Sequence, residues 1–299
     1  MVATFTKKGS SKIWALALHG GAGPMKGENY DRSEAHMAEL LREGGRMLEK
    51  GCAAVDVVCE MVKELEACGL HVAGKGSAPN RDGDYELDAA VMDGETRQAG
   101  AVAALQGIRH PILAARAVME HSPHVMLVGR GAHDFAREHK LKRVKSPENY
   151  YQPATRKQNK TGELAHGTVG AVALDADGLL GAATSTGGAL NKQPGRVGDS
   201  PLVGAGLWAD ERVAVSCTGI GEYFIRTSAA VDVSARMKYA RRSVDEAAQD
   251  TLDNISFLGG EGGMIALDCL GRLTTPFNTA GMKRGWIHAN GDFKVATFG

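Results

Sequence analysis

The sequence predicts a layered α+β fold. Apolar runs of strand length, bounded by glycine-rich turns, arrive in blocks instead of alternating strictly with helices, and the helical patterns come in pairs. Thirty-nine glycines in 299 residues call for many tight turns or close backbone approaches. Aromatics are few, so the core falls to Ala, Val, Leu and Ile. The length suits one large domain or two modest ones and is ample for a buried core.

In chain order, IWALAL (13–18) reads as a buried strand that ends in the turn sequence HGGAGP. Asp31 with Glu34 has capping-box spacing and opens a helix that runs to about Lys50 and stops at Gly51. Val55, Val58, Cys59, Val62 and Leu65 repeat at helical spacing, giving a second helix that ends at Cys68-Gly69. YELDAAVMDG (85–94) and QAGAVAALQG (98–107) pair as strands, Pro111 opens a helix, HVMLVG (124–129) is a strand and AHDFAREHK is helical. Residues 145–167, poor in aliphatics and rich in Lys, Asn and Gln, read as a flexible surface segment. TVGAVALD, LLGAATST, RVAVSCTG, GMIALDCLG and RLTTPFN then read as strands, with one helical region from Glu222 to about Leu258.

The 35 basic and 35 acidic residues cancel and are interspersed, which gives no support for nucleic acid or an anionic membrane as partner. The five cysteines read as buried, reduced thiols, and no CxxC or Cys/His pair has zinc spacing. The polar N-terminus and the short apolar run after it predict neither a signal peptide nor a membrane span, so a cytoplasmic protein is expected. Gly69–Lys75 matches the start of a phosphate loop, but Gly76 stands where its hydroxyl residue belongs and the stretch follows a helix, not a strand.

HGTVGAVALD (166–175) places Thr168 at the start of a buried-looking strand, behind the polar segment. A threonine hydroxyl is a poor nucleophile without an adjacent base, whereas an N-terminal threonine carries its own in a free α-amine. Cleavage between Gly167 and Thr168 would create that amine, and glycine at 167 tolerates the strained backbone this needs. Gly-Thr pairs are common, and alone this one reads as an ordinary strand start. STGG (185–188) and SCTGIGE (216–222) each put a threonine before glycine at a strand end, where turn N–H groups can stabilise an oxyanion or simply punctuate the chain. In GRVGDSP (195–201), Arg196 and Asp199 form a guanidinium–carboxylate pair complementary to a free amino acid's carboxylate and ammonium, or else a solvated loop ion pair.

Taken together and in this order, these motifs resemble the plant-type L-asparaginase and isoaspartyl aminopeptidase family of N-terminal-nucleophile hydrolases. HGGAG, ELDAAVMDG, GGEGGMIALD and PFNTAGM extend the resemblance over most of the chain. It implies a four-layer αββα sandwich and a precursor that cuts itself into 1–167 and 168–299, pieces of one domain that pair into an (αβ)₂ homodimer. It assigns Thr168 as nucleophile, Thr186 as its support, Thr218 and Gly219 as oxyanion donors, and Arg196 and Asp199 as the clamp on the substrate's α-groups. The implied reaction passes through a Thr168-bound β-aspartyl ester and releases aspartate from β-aspartyl dipeptides or asparagine. No catalytic cofactor is implied. A structural Na⁺ is, held by the backbone carbonyls of Leu65, Glu66, Cys68, His71, Ala73 and Lys75.

The chain departs from the family at Val72-Ala73-Gly74, where Asn-Ala-Gly is usual, and again at GSAPN (76–80). Two alternatives follow. A glycosylasparaginase-like amidase would usually carry Asp before the threonine and travel a secretory route. A non-catalytic amino-acid-binding homologue is motivated by Val72.

Overall fold

The computed structural model describes residues 13–24, 26–154 and 167–299. Strand β1 (Ala15–Ala22) lies in an eight-stranded sheet whose other members are β2 (Leu87–Asp93), β3 (Ala99–Leu105), β4 (Met126–Val128), β5 (Val169–Leu174), β6 (Leu180–Thr186), β11 (Met282–His288) and β12 (Phe293–Ala296). The order is β12-β11-β1-β5-β6-β2-β3-β4, antiparallel except for β3 with β4. A second sheet runs in the order β10-β9-β8-β7, from Leu273–Thr274, Gly262–Asp268, Val213–Gly219 and Leu207–Ala209.

Strand alternation explains the layering. Leu16 and Leu18 of β1 face helices α1 (Asp31–Glu49) and α2 (Ala54–Ala67), in a core completed by α3 (Pro111–His121) and α4 (Gly129–Glu138). Ala15 and Ala17 point the other way, into a layer between the sheets built largely of alanine with Val172, Leu174, Ile265 and Leu267. Small side chains there let the sheets approach closely. Outside the second sheet, Val213, Val215 and Cys217 pack on α6 (Gly221–Thr227), α7 (Ala229–Tyr239) and α8 (Val244–Phe257). The result is the expected αββα sandwich.

The two portions on either side of residue 167 are interleaved. β1 pairs with β5 and β11, and β2 pairs with β6. A cut between them would leave every one of these ladders intact.

Several expectations need correction. The HGGA of HGGAGP belongs to β1, with an irregularity between His19 and Ala22, and is not a turn. No capping box forms at Asp31: Asn29 Oδ1 accepts the Asp31 N–H at 2.8 Å, and Glu34 accepts from Thr297 Oγ1 at 2.6 Å. The box occurs instead at Ser243 and Glu246, opening α8. The region Glu222–Leu258 is three helices, broken first at Ser228 in a left-handed conformation (φ +50°). Residues 145–154 are ordered by specific contacts: α5 (Pro147–Tyr150) leads to buried Tyr151, which stacks on Tyr85 at 3.9 Å. The remainder of that predicted segment, 155–166, lies outside the described residues. The cysteines are all unpaired, but only Cys59 and Cys217 are buried, and Cys269 is exposed because it lies in the turn after β9. Among the described residues no helix is long and apolar enough to cross a membrane.

Candidate active site

Thr168 immediately precedes β5 and is 6% exposed. Its carbonyl accepts a hydrogen bond of 3.1 Å from Nδ1 of His19 in the neighbouring β1. A carbonyl can only accept, so Nδ1 carries the proton and Nε2 accepts from Ser216 Oγ at 2.8 Å. Ser216 bonds in turn to Thr184 Oγ1 at 2.8 Å. This chain of buried groups links β1, β5, β6 and β8 and fixes where the strand bearing Thr168 starts. Burial pushes His19 down to about 3, so it stays neutral and acts as a donor, not a base.

A small pocket opens beside Thr168, lined by Gly167, Thr168, Thr186, Arg196, Asp199 and Gly219 among others. Six residues singled out from the sequence therefore converge. Thr186, at the end of β6, uses its hydroxyl to accept the Gly188 N–H at 3.0 Å, which shapes the STGG turn. Thr218 is fully buried behind the lining, and its Oγ1 accepts the Ala22 N–H at 3.3 Å. With that acceptor position filled, the hydroxyl proton is free to point elsewhere.

Arg196 is not paired with Asp199 as its sequence spacing suggested. Its guanidinium is forked on Glu222, with bonds of 2.9 and 2.8 Å. The Glu222 side chain is 55% exposed, so the pair is worth about 0–1 kcal/mol and can yield to another carboxylate. Asp199 is buried, and its Oδ2 has no hydrogen-bond partner among the described residues. Burial raises its carboxyl to about 7 despite the nearby Arg196 charge. Gly221 is required here: a Cβ on it would lie 2.8 Å from Asp199 Oδ1 and 2.9 Å from its backbone nitrogen.

Sequence reading missed much of the support. Glu86 accepts the Gly195 N–H on both oxygens (3.0 and 3.1 Å) and an Asn80 amide proton at 3.1 Å, so the unusual GSAPN stretch anchors the loop that carries Arg196. Lys192, 4% exposed, donates to the Glu86 carbonyl at 2.7 Å. Asp88 is fully buried opposite Thr186, and burial raises its carboxyl too, against the Lys192 charge. The available signals were a histidine in an otherwise apolar strand and charged residues inside ELDAAV.

The 65–76 stretch wraps the end of α2. A Cβ on Gly74 would lie 2.4 Å from the Glu66 carbonyl oxygen, and one on Gly76 would lie 2.0 Å from that of His71, so both carbonyls turn into the loop. The Leu65, His71, Ala73 and Lys75 carbonyls already accept from Cys68 Sγ, Ala73 N, Gly76 N and Gln152 N. Each keeps a second lone pair. Glu66 also works through its side chain, which accepts from Ser185 Oγ at 2.6 Å and from the Ile112 N–H at 3.0 Å at the start of α3. The Val72 side chain packs on Gly167: a Cβ at 167 would lie 2.5 Å from Val72 Cγ2. Steric contact thus supplies a reason for glycine that the strain argument had not.

Comparison with known proteins places this geometry in context. A family model described as asparaginase matches residues 12–297. The isoaspartyl peptidase of Salmonella typhimurium is 49% identical over 298 residues, covering 92% of this chain and 95% of that protein. That of Escherichia coli is 48% identical, covering 92% of each. The plant-type L-asparaginase of Pyrobaculum calidifontis is 39% identical, covering 91% of this chain and 96% of its own.

Proposed function

Because the chain belongs to the asparaginase family, we propose that it is an amidohydrolase releasing L-aspartate from β-aspartyl dipeptides and from L-asparagine. The observation that carries the reading is one pocket holding Thr168 beside both Arg196 and a buried Asp199 whose Oδ2 has no hydrogen-bond partner among the described residues. That pair suits a substrate with adjacent carboxylate and ammonium groups.

The reaction has two stages. In maturation, the Thr168 hydroxyl attacks the Gly167 carbonyl carbon, the peptide C–N bond breaks, and the acyl group moves from nitrogen to oxygen. Water then hydrolyses that ester, freeing the Gly167 carboxylate, the Thr168 hydroxyl and its α-amine. In turnover, the amine, with an ordinary pKa of about 7.7–8.0, takes the hydroxyl proton as Oγ attacks the substrate's side-chain carbonyl. Gly219, in the pocket lining, and the Thr218 hydroxyl behind it, its oxygen already occupied by the Ala22 N–H, are the proposed donors to the developing oxyanion. The amine passes its proton to the leaving group, ammonia or an amino acid, and water cleaves the β-aspartyl ester. Asp199 receives the substrate ammonium, while Arg196 exchanges Glu222 for the substrate carboxylate. His19 holds the Thr168 carbonyl throughout and acts as a positioning residue.

The carbonyls of Leu65, Glu66, Cys68, His71, Ala73 and Lys75 are neutral oxygen donors that suit a hard monovalent cation, and Na⁺ bound there would stiffen the loop that places Val72 against Gly167. The working assembly is an (αβ)₂ homodimer acting in the cytoplasm. A glycosylasparaginase-like reading is disfavoured because Val72 leaves no room for Asp at position 167. Incubation with β-aspartyl dipeptides, monitored for free aspartate alongside the intact mass of the protein, tests the proposal. Cleavage at 167/168 without aspartate release would favour a binding homologue, and aged, folded protein that stays full-length would refute self-processing.

A further inference from the structure

A second cluster of reactive side chains lies outside the pocket. His36 of α1, Cys68 at the end of α2 and His71 of the following loop bring one ligand atom each to within 4.8 Å of one another. We propose that these three side chains bind a thiophilic divalent transition metal, with Zn²⁺ the representative ion.

The prepared state of each ligand supports this. His71 Nδ1 bonds to the Gly20 carbonyl at 3.1 Å, which fixes the proton on Nδ1 and leaves a lone pair on Nε2. That Nε2 is buried and has no hydrogen-bond partner among the described residues, and the same holds for His36 Nδ1. Two buried ring nitrogens without partners are costly unless something occupies the space between them. A ligating histidine that donates its other N–H to a backbone carbonyl is the usual second layer of support in a metal site. Cys68 Sγ receives the Leu70 N–H at 3.4 Å, a contact that would also steady a thiolate. At present the thiol donates to the Leu65 carbonyl at 3.2 Å. On binding, the S–H bond breaks, its proton leaves to solvent and a metal–sulfur bond forms, with no change in oxidation state.

Tetrahedral zinc, with bonds of about 2.3 Å to sulfur and about 2.0–2.1 Å to nitrogen, holds its ligand atoms about 3.3–3.7 Å apart. The site must therefore contract by about 1 Å, within reach of side-chain rotation. A fourth position stays open for water. The half-buried ammonium of Lys283, whose charge is felt by Cys68 and His71, opposes any incoming cation. This selects against Mg²⁺ and Ca²⁺, which rely on charge, and favours ions that bind thiolate and imidazole covalently. Sequence spacing did not show the site because His36 arrives from a different helix. Only the side chains of Cys68 and His71 enter here, whereas the sodium reading uses their carbonyls, so either can fail alone.

The test is Co²⁺ titration of tag-free, reduced, metal-stripped protein, followed by sulfur-to-cobalt charge-transfer absorption, and repeated with Zn²⁺ by elemental analysis. One ion per chain is expected, undisplaced by excess Mg²⁺ or Ca²⁺. The charge-transfer band should vanish in Cys68→Ser, and His36→Gln should weaken binding by at least about tenfold while keeping aspartate release. His36 is only half-buried on a helix surface, so its variant remains informative if Cys68→Ser does not fold. Substoichiometric binding, or a band that survives Cys68→Ser and so belongs to another thiol such as exposed Cys269, would overturn the proposal.

Discussion

Asp199→Asn exchanges a buried charge for a neutral isostere, and its effect on stability should reverse with pH. The wild-type carboxyl rises from 3.8 to about 7 in the folded protein, chiefly through burial. At about 1.4 kcal/mol per pH unit, holding it ionised at pH 8 costs the fold ~4 kcal/mol. The direction follows from proton counting. Between the two pKa values the folded state binds more protons than the unfolded one, so stability falls as pH rises from about 4 to about 7 and levels off above. Asparagine removes this penalty but buries an amide with imperfect partners, costing about 1–3 kcal/mol at every pH. The variant should therefore gain about 2–3 kcal/mol relative to wild type between pH 5 and pH 8. Urea unfolding in a Thr168→Ala background keeps both proteins as one uncut chain, so the two are compared from the same covalent state. The same substitution should raise KM for a β-aspartyl dipeptide by about 30-fold or more, since the substrate ammonium loses its buried partner. A stability difference that is the same at both pH values would refute the burial argument, and an unchanged KM would refute the clamp.

Thr168→Ala should give a single full-length species by mass spectrometry and no aspartate release; scission at 167/168 in that variant would sink the self-processing step. Glu222→Gln should free Arg196 and lower KM by about 1.5- to 5-fold, the worth of a half-exposed ion pair, and steady-state kinetics would show a rise instead if Glu222 itself binds substrate. Gly167→Ala forces a methyl against Val72 and should slow maturation about 5- to 150-fold, corresponding to 1–3 kcal/mol of overpacking; Val72→Ala should recover part of that rate on a time course of cleavage. The pH profile of kcat/KM should fall on the acid side as the Thr168 amine and Asp199 take up protons, with no contribution from His19. An inflection that disappears in His19→Asn would contradict this.

The residues that line the pocket were legible because their chemistry is tied to local sequence. Thr168 starts a strand, Thr186 and Gly219 end strands, and Arg196 and Asp199 share one loop. What holds them in place was not legible, because it depends on which strands become neighbours. His19 acts on Thr168 only because β1 and β5 pair, and Ser216 reaches His19 only because the second sheet packs over that point. Periodicity likewise gave the central strands but missed β7, β11 and β12, which are short or mixed in polarity. The Asp31/Glu34 spacing misled because a tertiary contact with Thr297 claimed Glu34.

The topology is compatible with the proposed self-cleavage before Thr168. Thr168 stands at the head of a strand held on one side by β1 and on the other by β6, so the bond before it can break without loosening either ladder. The new α-amine would form in a site that is 6% exposed. Burial would disfavour the protonated form of such an amine relative to a solvated terminus, the direction a general base needs near neutrality. The same burial raises Asp199, making an empty pocket electrostatically costly and substrate with its ammonium the natural partner to relieve it. In the proposed mechanism one property of the site, its exclusion of water, would therefore tune the base downward and prime Asp199 for a substrate ammonium, while the antiparallel ladder supplies the rigidity that both require.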